Sequence, residues 1–328
     1  MIVTKTPLRV SFVGGGTDFS DYYRIKEGRV ISTAIDKHIY VTIAKKFDNK
    51  IHLRYSDFEC VDNIEQLKHN LVREALKLAG ITKGVEIVTI SDIPTTGSGL
   101  GSSSSLAVGL LKVLYAYKGF NIDTASLAKQ ACELEIEILQ SPIGKQDQYA
   151  ASFGGLNLIT FKSNESVKID NLLITANYEK IKWLQNSSML FYLGEGRLST
   201  DILLEHKNAI KDKIDTLDKQ SQLTKQLYQW LHTDDNGVNR IVGELINLSW
   251  KYKVEMTPQA TNNTINRIIS IVMQSGAYGA KVCGAGGSGF LLVICEREKQ
   301  HFVRQALNHL TELNFNFENE GAKVIYAD

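Results

Sequence analysis

The chain has 328 residues, 43% of them hydrophobic and 22% charged, with a formal net charge of +1. This ordinary globular composition supports roughly two domains with a sizeable core, and the near-neutral balance argues against nucleic acid or an anionic membrane as partner. The start, MIVTKTPLRV, lacks the apolar segment of a signal peptide, no apolar run is long enough to span a bilayer, and Cys60, Cys132, Cys283 and Cys295 form no CxxC pair, so a cytoplasmic protein with free thiols is expected.

In chain order, residues 1–13 alternate and then turn apolar, so that 9–13 reads as a strand entering the tight turn GGGTD at 14–18. Residues 29–45, rich in Val, Ile, Thr and Tyr, read as one or two strands, and 51–55 as another. Helical spacing covers 64–79, and Gly80 suits its end. A strand at 85–90 precedes the loop PTTGSGLGSSSSL at 94–106, and a helix covers 103–117. A second helix covers 123–140. Leu127, Ala131, Leu134 and Ile138 share one face, Glu133 points away from it, and Glu135 lies on its flank, where a carboxylate can look into a cleft. Ser141 and Pro142 end this helix. IGKQDQYAASFGG at 143–155 reads as a polar loop before a strand at 156–161.

Polar residues without a clear period over 162–185 mark a domain boundary, dividing the chain into 1–180 and 181–328. A strand at 189–193 and the loop GEGRLST at 194–200 precede a long solvated helix over 201–230. Helices at 238–251 and 262–275 follow, then strands at 280–283 and 290–296 around GAGGSG, a helix at 300–313 and a last strand at 322–326.

Three glycine-rich stretches carry the chemistry. The loop at 94–106, set between a strand and an apolar helix, is a place to hold phosphate: glycines let backbone N–H groups turn toward an anion, the helix start adds free donors, and the serines add hydroxyls for phosphate or metal. GAGGSG matches GxGxxG through Gly284, Gly286 and Gly289, but a strand follows it where a dinucleotide fold needs a helix, so it reads as a hairpin close to a ligand. No GxxxxGK[ST], GxSxG or HExxH occurs, the histidines lack ligand spacing, and His38 and His52 read as structural.

PLRVSFVGGGTDF, PTTGSGLGSSSS and KVCGAGGSGF, in that order, resemble the motifs of the GHMP kinases across nearly the whole chain. PIGKQDQYAASFGGLN and SWKYK add a finer likeness to the bacterial heptose 7-phosphate kinases of that family. The resemblance implies a two-domain α+β fold, with an N-terminal half like ribosomal protein S5 domain 2, a ferredoxin-like C-terminal half, and ATP and sugar in the cleft between them.

It further implies phosphate contacts at Gly97, Ser98, Gly99, Gly101, Ser102 and Ser103, and Mg²⁺ held by Ser103 and Glu135. Asp147 corresponds to the catalytic aspartate and Arg9 to its cationic partner; an aspartate held by arginine is a weak base, so orienting the hydroxyl is equally compatible with the pairing. Asp18 and Thr17 in the first turn, Lys145, Arg197 and Gly286 are the expected substrate contacts. Where galactokinases have Gly-Glu-His-Thr-Asp, this chain has Gly14-Gly15-Gly16-Thr17-Asp18, which should leave room for a larger, phosphorylated sugar. The expected reaction is phosphorylation of the anomeric hydroxyl of a heptose 7-phosphate, with a small-molecule sugar phosphate as partner and a homodimer allowed. The alternatives are a kinase of unphosphorylated fucose or galactose, and a catalytically silent sensor of sugar and ATP.

Overall fold

The computed structural model describes residues 1–94, 97–194, 199–234 and 239–328. Strand β1 (Ile2–Val13) runs the length of the N-terminal segment because both its faces are covered: Thr4, Thr6, Leu8, Arg9, Val10 and Phe12 are all buried. The short helix α1 (Ser20–Tyr23) follows the glycine turn, and the residues expected as one or two strands form one, β2 (Gly28–Lys45). β3 (Ile51–Arg54) is followed by a strand the composition did not announce, β4 (Phe58–Val61). The helix expected over 64–79 is broken: a 3-10 turn (Ile64–Gln66) ends at the buried, extended Leu67, and only α2 (Asn70–Leu78) is α-helical. The Glu59 carboxylate fixes the break by accepting the backbone N–H of Lys68 at 2.6 Å and of His69 at 3.2 Å.

β5 (Val85–Ser91) and α3 (Ser102–Tyr117) flank the serine-rich glycine loop as expected. α4 (Thr124–Cys132), capped by Asp123 Oδ1 on the Ser126 N–H at 2.9 Å, gives way to a π-turn over Glu133–Ile138 rather than continuing as α-helix to 140. Residues 143–155, expected as loop, contain helix α5 (Gln146–Phe153). Its buried residues are Gln148, Tyr149, Ala150, Ala151 and Ser152, mostly small or polar, which leave no apolar spacing in the sequence. β6 (Leu156–Phe161), β7 (Val167–Asn171), α6 (Leu172–Thr175) and α7 (Tyr178–Ser187) lead into β8 (Ser188–Tyr192).

The long helix expected from 201 is two, α8 (Ser199–Ala209) and α9 (Ile214–His232). They part around Lys213, whose ammonium donates to the Glu255 carbonyl at 2.7 Å. α10 (Arg240–Met256), α11 (Asn263–Gln274), β9 (Gly279–Val282) and β10 (Phe290–Ile294) follow the sequence reading to within a few residues. The helix expected over 300–313 stops early: α12 (Gln300–Ala306) is followed by β11 (Thr311–Leu313), because the open edge of β8 pairs with it from Tyr192 to Leu190. β12 (Lys323–Ala327) closes the chain.

Among the described residues the strands form two sheets. The first runs β12–β1–β2–β5–β3–β4, with β6 on the N-terminal part of β2 and β7 on β6, and only the β3–β5 pair is parallel. The second, β11–β8–β10–β9, is antiparallel throughout. α3 packs on β1 and β2, α10 on β9 and β1, and α9 on β2 and β1. The result is a mixed α+β molecule in which elements of the second half close over the C-terminal end of β1 and the start of α3. Cys132, Cys283 and Cys295 are buried and free, Cys60 is exposed and free, and no helix among the described residues is long and apolar enough to cross a membrane.

Candidate active site

Residues 97–103 carry the chain into α3 on a backbone that turns left-handed at each of its three glycines. Gly97, Gly99 and Gly101 have φ of 67°, 73° and 79°. A Cβ on Gly99 would stand 2.5 Å from the Cys283 carbonyl oxygen, and one on Gly289 would stand 2.3 Å from that of Gly97. The hairpin at 284–289 therefore buttresses the loop by close backbone contact, and the Phe290 N–H donates to Ser98 O at 3.1 Å. Gly101 is the N-cap of α3 and supplies no side-chain acceptor, so the first-turn N–H groups and the positive end of the helix dipole face the cleft. Ser98 and Ser102 are buried and hydrogen-bonded to each other at 2.8 Å, whereas Ser103 is exposed to the cleft.

Ser103 Oγ donates to Glu135 Oε1 at 2.7 Å. The π-turn carries Glu135 inward, only 2% exposed, instead of leaving it on the flank of a regular helix. Gln148 Nε2, from α5, donates to its other oxygen at 2.6 Å. Burial pushes the Glu135 carboxyl above its usual range, against the opposing hydrogen bonds from Ser104, Ser103 and Gln148.

Arg9 and Asp147 meet as a bidentate ion pair, Nε to Oδ1 at 2.7 Å and Nη2 to Oδ2 at 2.6 Å, with the arginine buried. Arg9 is also tied to the phosphate loop. Its Nη1 donates to Gly99 O at 2.6 Å, and its backbone N–H to Leu100 O at 2.9 Å. A Cβ on Gly101 would touch both Arg9 Cγ and Asp147 Oδ2, so the pair lies directly against the start of α3.

The first glycine turn is partly filled. Gly16 has φ of 97°, and a Cβ there would stand 2.6 Å from Nε2 of His206, a side chain from α8. Among the described residues the nearest atom to a Cβ on Gly15 is Gln146 Nε2, 3.8 Å away. Among the described residues, the room expected from the missing side chains is thus open at Gly15 and occupied by His206 at Gly16. Asp18 is buried and accepts from the Gly16 N–H at 2.9 Å and from Gln146 Nε2 at 3.1 Å; burial first, and then the Asp147 charge, raise its carboxyl pKa.

Several expected contacts lie elsewhere. Thr17 is fully buried, its hydroxyl 2.8 Å from Gly14 O and accepting the Arg29 N–H at 2.9 Å, so it pins the turn and does not line the cleft. The Lys145 ammonium is bonded to Glu165 and lies over the Tyr23 ring, away from the cleft. Gly286 packs on Ala260, and the cleft is lined instead by Gly284 and Ala285. Arg197 lies outside the described residues.

The cleft, about 570 Å³, also holds residues to which the sequence reading assigned no role. Lys253 on α10 and Lys281 on β9 line it, and burial lowers the pKa of each to about 8. His206 is 1% exposed, with Nδ1 3.1 Å from Thr257 Oγ1, and burial lowers its pKa to about 3, so it is neutral. Both lysines stand in the stretches SWKYK and KVCGAGGSGF, but nothing in either stretch says that they converge.

The family description "GHMP kinases N terminal domain" matches residues 67–155, and "GHMP kinases C terminal" matches residues 235–311. The chain is 29% identical to a D-glycero-alpha-D-manno-heptose 7-phosphate kinase of Campylobacter jejuni, with 98% of each chain covered. It is 25% identical to a galactokinase of Pyrococcus furiosus, covering 93% of this chain and 92% of that one. The fold is similar to that of a D-glycero-D-manno-heptose 1-phosphate kinase from Bacteroides thetaiotaomicron, with a TM-score of 0.80 over 100% of both chains at 24% identity. With both halves of the family matched in order and a glycine loop opening a helix into the cleft, the chain belongs to the GHMP kinases, ATP-dependent phosphotransferases that act here on a sugar hydroxyl.

Proposed function

We propose that this kinase moves the γ-phosphate of ATP to the anomeric hydroxyl of D-glycero-D-manno-heptose 7-phosphate, giving the 1,7-bisphosphate from which nucleotide-activated heptose for surface polysaccharide is made. The observation that carries the chemistry is the bidentate Arg9–Asp147 pair, set against the start of α3 and close to the glycine turn. The similarity to the Campylobacter heptose 7-phosphate kinase supports the acceptor. We place the division between the nucleotide-binding and C-terminal parts near residue 180, where α7 leads from the first sheet to β8 of the second.

In this reading the backbone N–H groups of residues 97–103, with Ser98, Ser102 and Ser103, receive the triphosphate. The acceptor oxygen attacks the γ-phosphorus, and the bond to the β,γ-bridging oxygen breaks with its electron pair leaving on ADP. The acceptor proton passes to the Asp147 carboxylate, which serves equally to orient the hydroxyl. Arg9 faces the charge spread over the transferred phosphoryl oxygens, and its bonds to Gly99 and Leu100 hold it there without further reorganisation. Asp18 faces the sugar hydroxyls. Ser103 and Glu135 suit Mg²⁺, since a hydroxyl and a carboxylate are hard oxygen donors of the kind it takes alongside substrate phosphates and water. When bound, the ion neutralises charge on the β- and γ-phosphates.

The test is ADP release against a panel of acceptors. Preference for heptose 7-phosphate is expected. If galactose or fucose outcompetes it, the acceptor is an unphosphorylated sugar, the alternative to which the galactokinase likeness points.

A further inference from the structure

Besides the phosphate loop, the cleft is lined by two cations, Lys253 and Lys281, that form no ion pair with a carboxylate among the described residues. Among the described residues Lys281 Nζ is pinned by one hydrogen bond, 2.9 Å to the carbonyl of Phe12, and its other two donors have no partner there. The Lys253 ammonium makes no hydrogen bond or ion pair among the described residues. Burial disfavours the charged form of both; beyond burial, Lys253 and Arg9 disfavour that of Lys281, while Arg9 disfavours and Asp18 and Asp147 favour that of Lys253. The carboxylates around them are engaged. Asp147 is taken bidentately by Arg9, and Asp18 by Gly16 and Gln146. Drawing two ammonium groups together into a cleft is costly unless an anion joins them.

Three further facts locate that anion. Lys253 lies within electrostatic range of Asp18, Arg9 and Asp147, and Lys281 is bonded to Phe12 at the end of β1, so the two lie beside the first glycine turn and the Arg9–Asp147 pair. The triphosphate has its own cradle in residues 97–103. Ser11 lies between Arg9 and Phe12 on β1 and lines the cleft; its hydroxyl is buried, with the residue 8% exposed, and has no partner among the described residues.

We propose that Lys253 and Lys281, with the Ser11 hydroxyl, form the subsite for a phosphate carried by the acceptor itself, and so select phosphorylated over free sugars. This rests on the reading of the acceptor as a sugar phosphate. A phosphate dianion matches two ammonium groups in charge, and its oxygens are acceptors for the ammonium and hydroxyl donors that line the same cleft. The γ-phosphate of ATP offers the same chemistry, and the experiment separates the two.

Lys253→Met and Lys281→Met are compared with wild type for KM of D-glycero-D-manno-heptose 7-phosphate, KM of ATP, and inhibition by inorganic phosphate competing with the acceptor. Each single variant is expected to raise the acceptor KM roughly ten- to a hundredfold, the range of one charged hydrogen bond. The KM of ATP should stay within twofold, and inorganic phosphate should compete more weakly. Lys281→Arg, which keeps the charge, should restore most of the loss if the Met variant acts through charge rather than misfolding; thermal melting checks folding directly. An increase confined to the KM of ATP assigns the lysines to the γ-phosphate and overturns the proposal. An unchanged acceptor KM in a wild type that prefers the sugar phosphate overturns the subsite alone. A wild type that prefers a free sugar overturns the acceptor reading and the subsite with it.

Discussion

Replacing Asp147 by Asn changes one oxygen to an NH₂ group and removes a charge, with almost no change in shape. In wild type the carboxylate takes two hydrogen bonds from Arg9, at 2.7 and 2.6 Å. An asparagine keeps one of these and turns a donor toward the other guanidinium nitrogen. Losing one charge-assisted bond costs about 1.5–3 kcal/mol of stability, an amount seen as a lower melting temperature rather than an unfolded protein. Arg9 keeps its bonds to Gly99 O and Leu100 O, and the phosphate loop is separately buttressed by the 284–289 hairpin. The cradle should therefore survive, and the ATP dissociation constant should change by less than about threefold, within the ~0.6 kcal/mol expected when no direct contact is removed. Turnover should fall by about 10²–10⁴, the usual contribution of a positioned proton acceptor. The assay is coupled ADP release at saturating acceptor, alongside calorimetric ATP binding. A kcat within threefold of wild type removes Asp147 from the chemistry. Loss of ATP binding along with kcat refutes the claim that the loop is held independently of the pair.

Gly99→Ala forces a β-carbon onto the Cys283 carbonyl, 2.5 Å away, at φ of 73°, so the two glycine loops must separate and ATP affinity should fall at least tenfold, whereas Gly80→Ala, at φ of 65° with nothing within 4 Å, should cost only backbone strain of about 1 kcal/mol and leave ATP affinity alone. Equal ATP affinities for the two variants in calorimetry contradict this. His206 makes the fold acid-sensitive: its folded pKa of about 3 lies below the usual 6.5, so between these values the unfolded chain takes up a proton that the folded chain excludes, and stability falls as pH falls below 6.5. At pH 5.5 this removes about 1.4 kcal/mol relative to neutral pH. Denaturant unfolding of His206→Gln at pH 7.5 and 5.5 should show that much less acid loss than wild type, and parallel losses in the two proteins count against a buried neutral imidazole.

How much of this was legible in the chain depends on how local each feature is. The phosphate cradle is local. Strand, glycines, serines and apolar helix follow one another within about thirty residues, and the backbone geometry that makes glycine necessary is imposed there. The pairing of Arg9 with Asp147, and of Ser103 with Glu135, was reached through resemblance of motifs, and the side chains do meet. Local spacing failed where other forces decide. Asp147 sits on a short helix whose small buried residues carry no period, and Glu135 is turned inward by a π-turn that a regular helical wheel cannot show.

By itself, then, the sequence determined the glycine loops, most strands and helices, and the residue types that phosphoryl transfer needs. Only the tertiary structure decided that Lys253, Lys281 and His206, drawn from α10, β9 and α8, face the same cleft as the first glycine turn. It also turned Thr17, Lys145 and Gly286 away from that cleft. The physical reason is that a hydrogen-bonded turn is set by neighbours in the chain, whereas a cleft wall is set by packing between distant elements. An unpaired lysine in such a wall looks in sequence like any solvated one.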